Sequence, residues 1–294
     1  RYTLGKVFSI GSSSAGNGYY LEINRKGYQT PFKLLIECGF SYKELSKRLA
    51  KQSVGINDLN AILVTHLHND HSISVKELVD RVKNVYAPRS VFEKYNVLDS
   101  VKSRNVMKEK QMKMIADGIE ILPFDLEHKN DDDTNVENLG YIITVDGDQG
   151  KYRILFVIDT QYIKYNLRKY QFNTIFIEAN NMRRSIYMSL KQAERKGDLG
   201  KKTHFTRVLK SHMLAENTVK TLIGSKKSAG LDLKNTHFIY LMHLTARGHV
   251  NPLEVKMHIK NELKKHNKRR AIVVNGKKRT IPIVKQFQTN GEVM

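Results

Sequence analysis

The chain has 294 residues, and its 50 Lys and Arg against 29 Asp and Glu give a formal net charge of +21. Hydrophobic residues make up 40% of the chain, enough for a large core, and the single cysteine, Cys38, excludes a disulfide framework and a zinc site made of cysteines. No apolar run has the length of a signal-peptide core or a membrane span, so we expect a cytoplasmic protein of a bacterium or an infected host, with no membrane partner.

The N-terminal part of the chain predicts short strands separated by turns and two helices. Ser41 is placed to cap the first helix with Glu44 as its capping-box partner, and Leu45 and Leu49 form the apolar face of that helix. A second helix is predicted over Val75–Val82. The predicted strands, each bounded by turn residues, are Val7–Ile10, Tyr19–Ile23, Lys33–Cys38 and Ala61–Val64.

Further strands follow, and the last predicted element is a helix over Pro252–Leu263. The predicted strands are Ile119–Leu122, Gly140–Val145, Arg153–Ile158, Thr174–Glu178 and Phe238–Leu241. No repeat or low-complexity linker divides the chain, so we predict one α/β domain over residues 1–294, with two sheets and flanking helices.

The positive charge is concentrated in the C-terminal part. Residues 1–182 contain 25 basic and 22 acidic side chains, whereas residues 183–294 contain 25 basic and only 7 acidic ones, a net charge of +18. An excess of this size indicates a polyanionic partner, most often nucleic acid, although anionic membranes and acidic proteins also bind basic proteins.

The most specific feature is the run THLHNDH at residues 65–71, directly after the apolar strand. It places three histidines and one aspartate within six residues, and His66 and His68 point the same way on an extended chain. Imidazole and carboxylate ligands together suit Zn²⁺, Mn²⁺ or Fe²⁺. The run therefore predicts a metal site at the end of a strand.

This H-x-H-x-D-H run resembles the signature motif of the metallo-β-lactamase superfamily. Two further segments, FSIGSSSAGN (8–17) and DLNAILVTH (58–66), resemble the opening loop and the lead into the metal motif of its YycJ-type, exonuclease-like branch. The segment LLIECG (34–39) resembles the strand between them, with Glu37 where that branch usually has Asp. The resemblance implies a four-layer αβ/βα metallo-β-lactamase sandwich.

The resemblance also implies a set of metal ligands. It places the first ion on His66, His68 and His128, and the second ion on Asp70, His71 and His243, with Asp159 as the bridging ligand. Three of these candidates lie outside the run. They are His128, Asp159 and His243, and each follows an apolar strand in the order expected of the family. Two divalent ions, zinc or manganese with iron also allowed, would activate a hydroxide for phosphodiester hydrolysis, and Asp70 would also orient it as a catalytic residue.

The implied activity is a metal-dependent hydrolase, most specifically a DNA exonuclease acting 5′ to 3′. Members of this branch in phage recombination modules lie beside strand-annealing proteins, which makes such a protein an expected partner, and DNA is preferred to RNA as substrate. Three alternatives stay open: a tRNase Z-like endoribonuclease, a phosphodiesterase for cyclic nucleotides or other small molecules, and a DNA-binding partner of a recombinase with little catalysis.

Several residues are candidates for contact with the substrate. His212 and His249 are candidates for a catalytic general acid or a substrate contact. Ser12, Ser13 and Asn17 are placed to touch a substrate phosphate through their loop, although turn chemistry explains them equally well. The basic residues expected to bind the nucleic-acid backbone are Lys264, Lys265, Lys268, Arg269, Arg270, Lys277, Lys278 and Arg279.

Overall fold

A computed structural model describes residues 4–98, 104–130, 132–225, 230–244, 251–268 and 271–274. Its strands form two sheets, and every predicted strand is present. The first sheet contains, in spatial order, β1 (Leu4–Ser13), β2 (Gly16–Ile23), β3 (Phe32–Ile36), β4 (Ala61–Leu63), β5 (Val85–Ala87) and β6 (Arg104–Val106). The second sheet contains β7 (Lys113–Ala116), β8 (Ile119–Leu126), β9 (Asn138–Gly147), β10 (Gly150–Val157), β11 (Thr174–Glu178), β12 (Phe238–Met242) and β13 (Ala271–Val274), each beside the next.

The helices lie between these strands in the sequence. Their bounds are α1 (Tyr42–Ala50), α2 (Asn69–Ser72), α3 (Val75–Leu78), α4 (Arg89–Lys94), α5 (Arg183–Arg195), α6 (Leu199–Ser211), α7 (Ala215–Ile223) and α8 (Pro252–Lys265). Two short 3₁₀ turns occupy Ile56–Asp58 and Arg168–Tyr170. Within the described ranges, no helix combines the length and the apolar character that a membrane crossing requires.

Each sheet is mixed. In both sheets the strands that come first in the sequence pair antiparallel, and the later strands pair parallel. In the first sheet β1 to β3 pair antiparallel and β3 to β6 pair parallel. In the second sheet β7 to β10 pair antiparallel and β10 to β13 pair parallel. The carboxyl ends of parallel strands meet at one edge of a sheet, which is where α/β proteins place their ligands.

The two sheets face each other across a shared core, and helices cover their outer faces. Leu63 of β4 packs into the same apolar cluster as Tyr141 of β9 and Phe156 of β10, so this cluster joins both sheets. The preceding residue on β4, Ile62, points to the opposite face and belongs to a second cluster together with Leu45 of α1. This alternation gives four layers, and the expected αβ/βα sandwich is confirmed.

Two local predictions need correction. The helix expected over Val75–Val82 ends at Leu78, because the following residues tighten into turns that lead into β5. Ser41 does cap α1, since its Oγ accepts the backbone N–H of Glu44 at 3.4 Å. The Glu44 carboxylate does not complete the capping box, however, and accepts instead from Nε of Arg48 at 2.7 Å.

Candidate metal centre

The histidine-rich run follows β4 and leads into α2 at the carboxyl edge of the first sheet. Thr65 Oγ1 lies 2.9 Å from His66 Nδ1, so Nε2 of this buried ring faces the centre. Asn130 Oδ1 lies 2.9 Å from His68 Nε2, which leaves Nδ1 of His68 on the inner side. Hydrogen bonds of this kind fix the orientation and the tautomer of metal-binding histidines.

The first cluster of ligand atoms joins both sheets. His68 Nδ1 lies 3.1 Å from His66 Nε2 and 3.1 Å from Nε2 of His128, which follows β8. Asp159 Oδ2 lies 3.4 Å from His66 Nε2 and 4.0 Å from His128 Nε2. These four residues have ligand atoms within 4.8 Å of one another, so the structure brings together the whole first site expected from the resemblance.

The second cluster lies beside the first and shares Asp159 with it. His71 Nε2 is 3.3 Å from Asp70 Oδ2 and 3.0 Å from Asp159 Oδ2. His243, which follows β12, places Nδ1 at 3.1 Å from Asp159 Oδ1 and Nε2 at 3.6 Å from Asp70 Oδ2. Asp159 therefore occupies the bridging position between the two clusters, with one carboxylate oxygen toward His71 and the other toward His243.

Sequence analysis missed Glu178, a fully buried acid at the end of β11. Its Oε1 lies 2.7 Å from His212 Nδ1 and 3.1 Å from His243 Nδ1, and with Asp159 these residues form a third group of close ligand atoms. One signal could have found it, because Glu178 ends a buried apolar strand much as Asp159 follows β10.

Burial lowers the pKa of the histidines in the centre, and neighbouring carboxylates raise it, so the net shift differs from one histidine to the next. Burial lowers the pKa of His128 to about 4, although Asp159 opposes the shift. Burial would also lower the pKa of His212 and His243, but Glu178 and Asp159 raise these values to about 9 and about 10. His243 and His71 in turn hold the pKa of Asp159 well below its usual value despite complete burial. For Asp159, His212 and His243, the attraction between opposite charges therefore outweighs the effect of burial on the pKa.

The residues present fit divalent metal ions. Nitrogen ligands bound tetrahedrally to one zinc at about 2.0–2.1 Å lie about 3.4 Å apart, close to the 3.1 Å separations at His68. His243 Nε2 is buried and has no hydrogen-bond partner within the described part of the chain, although it faces the Asp70 carboxylate. Imidazole and carboxylate donors of this kind suit zinc, manganese or iron.

Strained backbone marks three residues around the centre. Glu37, Asp159 and His243 have φ angles of 66°, 52° and 53°, a left-handed conformation that non-glycine residues adopt at an energetic cost. All three follow parallel strands at the carboxyl edge. Glu37 Oε1 lies 3.6 Å from His71 Nδ1, so this acid, in the place where the resembling branch has Asp, contacts the side of His71 that faces away from the centre.

A cavity of about 570 Å³ opens onto the centre. His212 lines this cavity, so the structure places this catalytic candidate beside the proposed ligands. Two basic side chains, Lys129 and Arg207, also line it, as does Ser14 from the turn between β1 and β2. The cavity thus brings two cations together with the acidic residues Asp70, Asp132 and Asp159.

The predicted substrate loop lies beside the centre, but its three predicted side chains are buried and bond to the protein. Ser12 Oγ accepts the backbone N–H of His243 at 2.8 Å. The Asn17 amide donates to the Asp70 carbonyl at 3.2 Å and lies 3.2 Å from His71 Nε2. Ser13 is also buried, and its Oγ accepts from the Ala15 N–H at 3.3 Å. Contact of these residues with a substrate phosphate stays a prediction.

The predicted nucleic-acid residues are only partly described. Lys264 and Lys265 end α8, with Lys268 just beyond, at the edge of the second sheet opposite the centre, because α8 leads back to the start of β13. Contacts there would hold nucleic acid about 20 Å from the centre, the length of a 14-residue helix. The residues of this prediction outside the described ranges are Arg269, Arg270, Lys277, Lys278 and Arg279, and the catalytic candidate His249 also lies outside them.

Comparison with known families agrees with the fold. A family model described as "Beta-lactamase superfamily domain" matches residues 33–225. The metallo-β-lactamase fold protein YhfI from Bacillus subtilis superposes with a TM-score of 0.61, covering 96% of this chain and all of YhfI. Their sequences are 14% identical, so this likeness concerns the fold alone.

Curated relatives match shorter stretches. The exodeoxyribonuclease WalJ of Streptococcus pneumoniae is 41% identical over 66 residues, which is 22% of this chain and 22% of WalJ. The ribonuclease Z of Archaeoglobus fulgidus is 27% identical over 136 residues, which is 41% of each protein. The matched stretches span between about a fifth and two fifths of these relatives. The exodeoxyribonuclease match supports the expected YycJ-like, exonuclease-like branch.

Proposed function

Because the chain belongs to the metallo-β-lactamase superfamily, we propose that it hydrolyses phosphodiester bonds of nucleic acid with divalent metal ions, most specifically as a DNA exonuclease. The observation that carries the proposal is the position of Asp159, whose carboxylate lies between two ligand clusters beside a cavity that also presents Lys129 and Arg207. The finer parts of the proposal are two ions, of zinc or manganese, a 5′-to-3′ direction, a cytoplasmic setting and a strand-annealing recombination partner.

The chain's own residues divide the work at the centre. One ion would be held by His66, His68 and His128. The other would be held by Asp70, His71 and His243, and Asp159 would bind both ions. Two ions in such a pair supply a water nucleophile near neutral pH and neutralise charge on the reacting phosphate. Since residues of both sheets complete this set, we propose that residues 1–294 act as one domain.

His212 is our candidate for the residue that transfers a proton to the leaving oxygen. Glu178 Oε1 holds its Nδ1 at 2.7 Å, so Nε2 is the nitrogen that His212 offers to a substrate in the cavity. Arg207 and Lys129, the latter paired with Asp133 at 3.0 Å, line the same cavity and would contact phosphates of a bound strand. The water nucleophile and the proton donor are thus separate groups, as an in-line displacement requires.

DNA is the first candidate substrate and RNA the second. The net charge of +18 over residues 183–294 supports a polyanion rather than a small metabolite. The name of the exodeoxyribonuclease relative favours DNA, at the higher identity. The name of the ribonuclease Z relative favours RNA, over the longer matched stretch.

The test is a parallel digestion with the full chain. End-labelled single- and double-stranded DNA, single-stranded RNA and cyclic mononucleotides are incubated with the protein loaded with zinc or manganese, or treated with a chelator. We expect metal-dependent release of mononucleotides from one end of DNA, with slower loss of RNA. Hydrolysis of cyclic mononucleotides alone, or equal hydrolysis with and without chelator, would contradict the proposal.

A further inference from the structure

The connection between β11 and β12 is much longer than the fold requires. These strands are parallel neighbours, and a crossover between such strands needs about a dozen residues. β11 ends at Glu178 and β12 begins at Phe238, so 59 residues join them. Helix α7 already covers the sheet, because Val219 and Leu222 pack in one cluster with Leu241. Helices α5 and α6 are therefore additional to the crossover.

Helices α5 and α6 form a hairpin with its own small core. Ile186 of α5 packs with Phe205 and Val208 of α6 and with Leu214 in a cluster separate from those of the sheets. Both ends of this hairpin lie at the metal centre. Asn180, just before α5, places its Nδ2 at 3.2 Å from His243 Nδ1. At the other end, Arg207 and Ser211 of α6 line the cavity over the centre.

The hairpin is strongly basic. Residues 183–211 contain nine lysines and arginines against two acids, a net charge of +7. Both acids contact lysines of the same hairpin, with Asp198 at 2.9 Å from Lys201 and Glu194 at 3.2 Å from Lys202. The net charge of +7 therefore gives the surface of the hairpin a positive field.

One face of α5 carries a line of exposed side chains, which we call the α5 stripe: Arg184, Tyr187, Met188, Lys191 and Arg195. Arg184, Met188, Lys191 and Arg195 follow one another at spacings of four, three and four residues, so they lie in one row along the helix. Tyr187 and Met188 in the same face are 49% and 50% exposed, although both are large and apolar. The opposite face of α5, with Ile186 and Ala193, is buried.

We propose that the α5 stripe binds single-stranded DNA and guides it to the metal centre, an inference that rests on the proposed function. Three cations in a row suit successive phosphates, and an exposed tyrosine between them suits an unpaired base, which stacks on an aromatic ring. The 13-residue helix is about 20 Å long, the length of roughly six stacked nucleotides. The stripe contributes affinity for long strands and none for a small phosphodiester.

The first test removes the charges of the stripe. The triple variant R184Q/K191Q/R195Q is compared with K43Q/K47Q/K51Q, which removes three exposed charges from one side of α1 and its C-terminal cap. Binding is measured by fluorescence anisotropy with a phosphorothioate-linked single-stranded 20-mer over a range of salt. We expect the stripe variant to bind about tenfold more weakly, with a salt slope reduced by about two, since each single-strand phosphate contact contributes about 0.7. The α1 variant should resemble wild type.

The second test concerns Tyr187. Tyr187→Ala should weaken binding of the single strand several-fold without changing the salt slope. Tyr187→Phe, which keeps the aromatic ring, should bind as wild type does. A duplex 20-mer should bind equally well to both variants, because its bases are already stacked. Hydrolysis of a chromogenic small phosphodiester should be equal in all of these variants.

The outcomes separate this inference from the proposed function. If wild type digests DNA but the stripe variant binds as well as the α1 variant, the stripe is only a solvated face and the inference is wrong. If wild type neither binds nor digests any nucleic acid, the proposed function itself is wrong. Loss of small-phosphodiester hydrolysis in the stripe variant would place its effect at the metal centre and would also overturn the inference.

Discussion

Asp159 is the residue whose loss should affect the centre most, because its carboxylate lies against both ligand clusters. We expect Asp159→Ala to reduce metal-dependent hydrolysis by more than about a hundredfold, since even the loss of groups that only orient metal ligands reduces affinity or activity by about 10–100-fold. DNA binding through the basic surface should persist. Rates on labelled DNA, with metal content measured by mass spectrometry, give the result.

Asp125→Ala provides the matched control for this change. Asp125 is a partly exposed acid of β8 whose carboxylate pairs with Lys164 at 2.5 Å and which belongs to none of the groups of close ligand atoms. Its loss should leave the rate and the metal content close to those of wild type. Wild-type activity in the Asp159→Ala protein would contradict the assignment of Asp159 as a ligand shared by both clusters.

Thr65 allows a milder test of the same centre. Thr65→Val keeps the shape of the side chain but removes the oxygen at 2.9 Å from His66 Nδ1, so the ring loses the bond that fixes its orientation. We expect metal affinity to fall by about 10–100-fold with the fold intact. Competition with a chromogenic chelator measures it, and Thr65→Ser, which keeps the hydroxyl, should bind metal as wild type does. Equal affinity in both variants would show that Thr65 does not orient His66.

At this scale, the sequence suggests ligand candidates in two ways. The run from His66 to His71 is a local pattern, and the distant candidates His128, Asp159 and His243 follow from the order of strand ends in the resembling family. The structure brings all of these side chains together, and their role as ligands stays a prediction. Glu178 has no such neighbour, because its partner His212 lies 34 residues further along the chain. Only the packed structure brings the two within hydrogen-bond distance.

At the scale of single elements, α1 permits a direct test of its N-cap, in which Ser41 bonds to the backbone but Glu44 does not complete the capping box. Ser41→Ala removes the oxygen that accepts from the Glu44 N–H, so we expect the free energy of unfolding to fall by about 0.5–1 kcal/mol, the lower part of the range for N-cap losses. Urea denaturation measures the change, and Ser41→Asp, which can also cap, should restore most of it. Full stability in Ser41→Ala would exclude a stabilising cap.

Sequence analysis did not predict two kinds of element: very short strands, and an amphipathic helix within a basic stretch. β5 and β6 have three residues each, too few for an alternating pattern to be recognised. Helix α5 does carry apolar residues at helical spacing, Ile186, Leu190 and Ala193, but the charges around them favoured a reading of this region as basic surface alone. Its pairing with α6 depends on side chains far apart in the sequence.

For the whole molecule, the sequence predicts the amount of basic charge but not its position. Among the described residues, nine of the basic side chains of residues 183–294 belong to the α5–α6 hairpin at the metal centre, whereas Lys264, Lys265 and Lys268 lie at the end of α8, at the opposite edge. The direction of α8 follows from the parallel pairing of β12 with β13, a tertiary feature. The sequence therefore indicates a polyanionic partner, while the fold indicates which cations lie near the candidate metal centre.

The ligand clusters also couple metal binding to the stability of the sandwich. His66, His68, Asp70 and His71 follow a strand of the first sheet, whereas His128, Asp159 and His243 follow strands of the second. A ligand that binds only the folded state stabilises it by about 4 kcal/mol at a thousandfold excess over its Kd. We expect removal of metal by a chelator to lower the midpoint of thermal unfolding by several degrees or more, and calorimetry before and after metal is restored measures it. An unchanged midpoint would contradict joint binding by the two sheets.

The division of the ligands between the sheets has a further consequence for the lifetime of the protein in a cell. A chain without metal would open more often at the carboxyl edge, and proteases cut the open form in proportion to its population. Chains that fail to acquire metal would then be removed faster than loaded ones. Proteolysis would thus enrich the surviving molecules in those that have bound metal, even when metal is scarce.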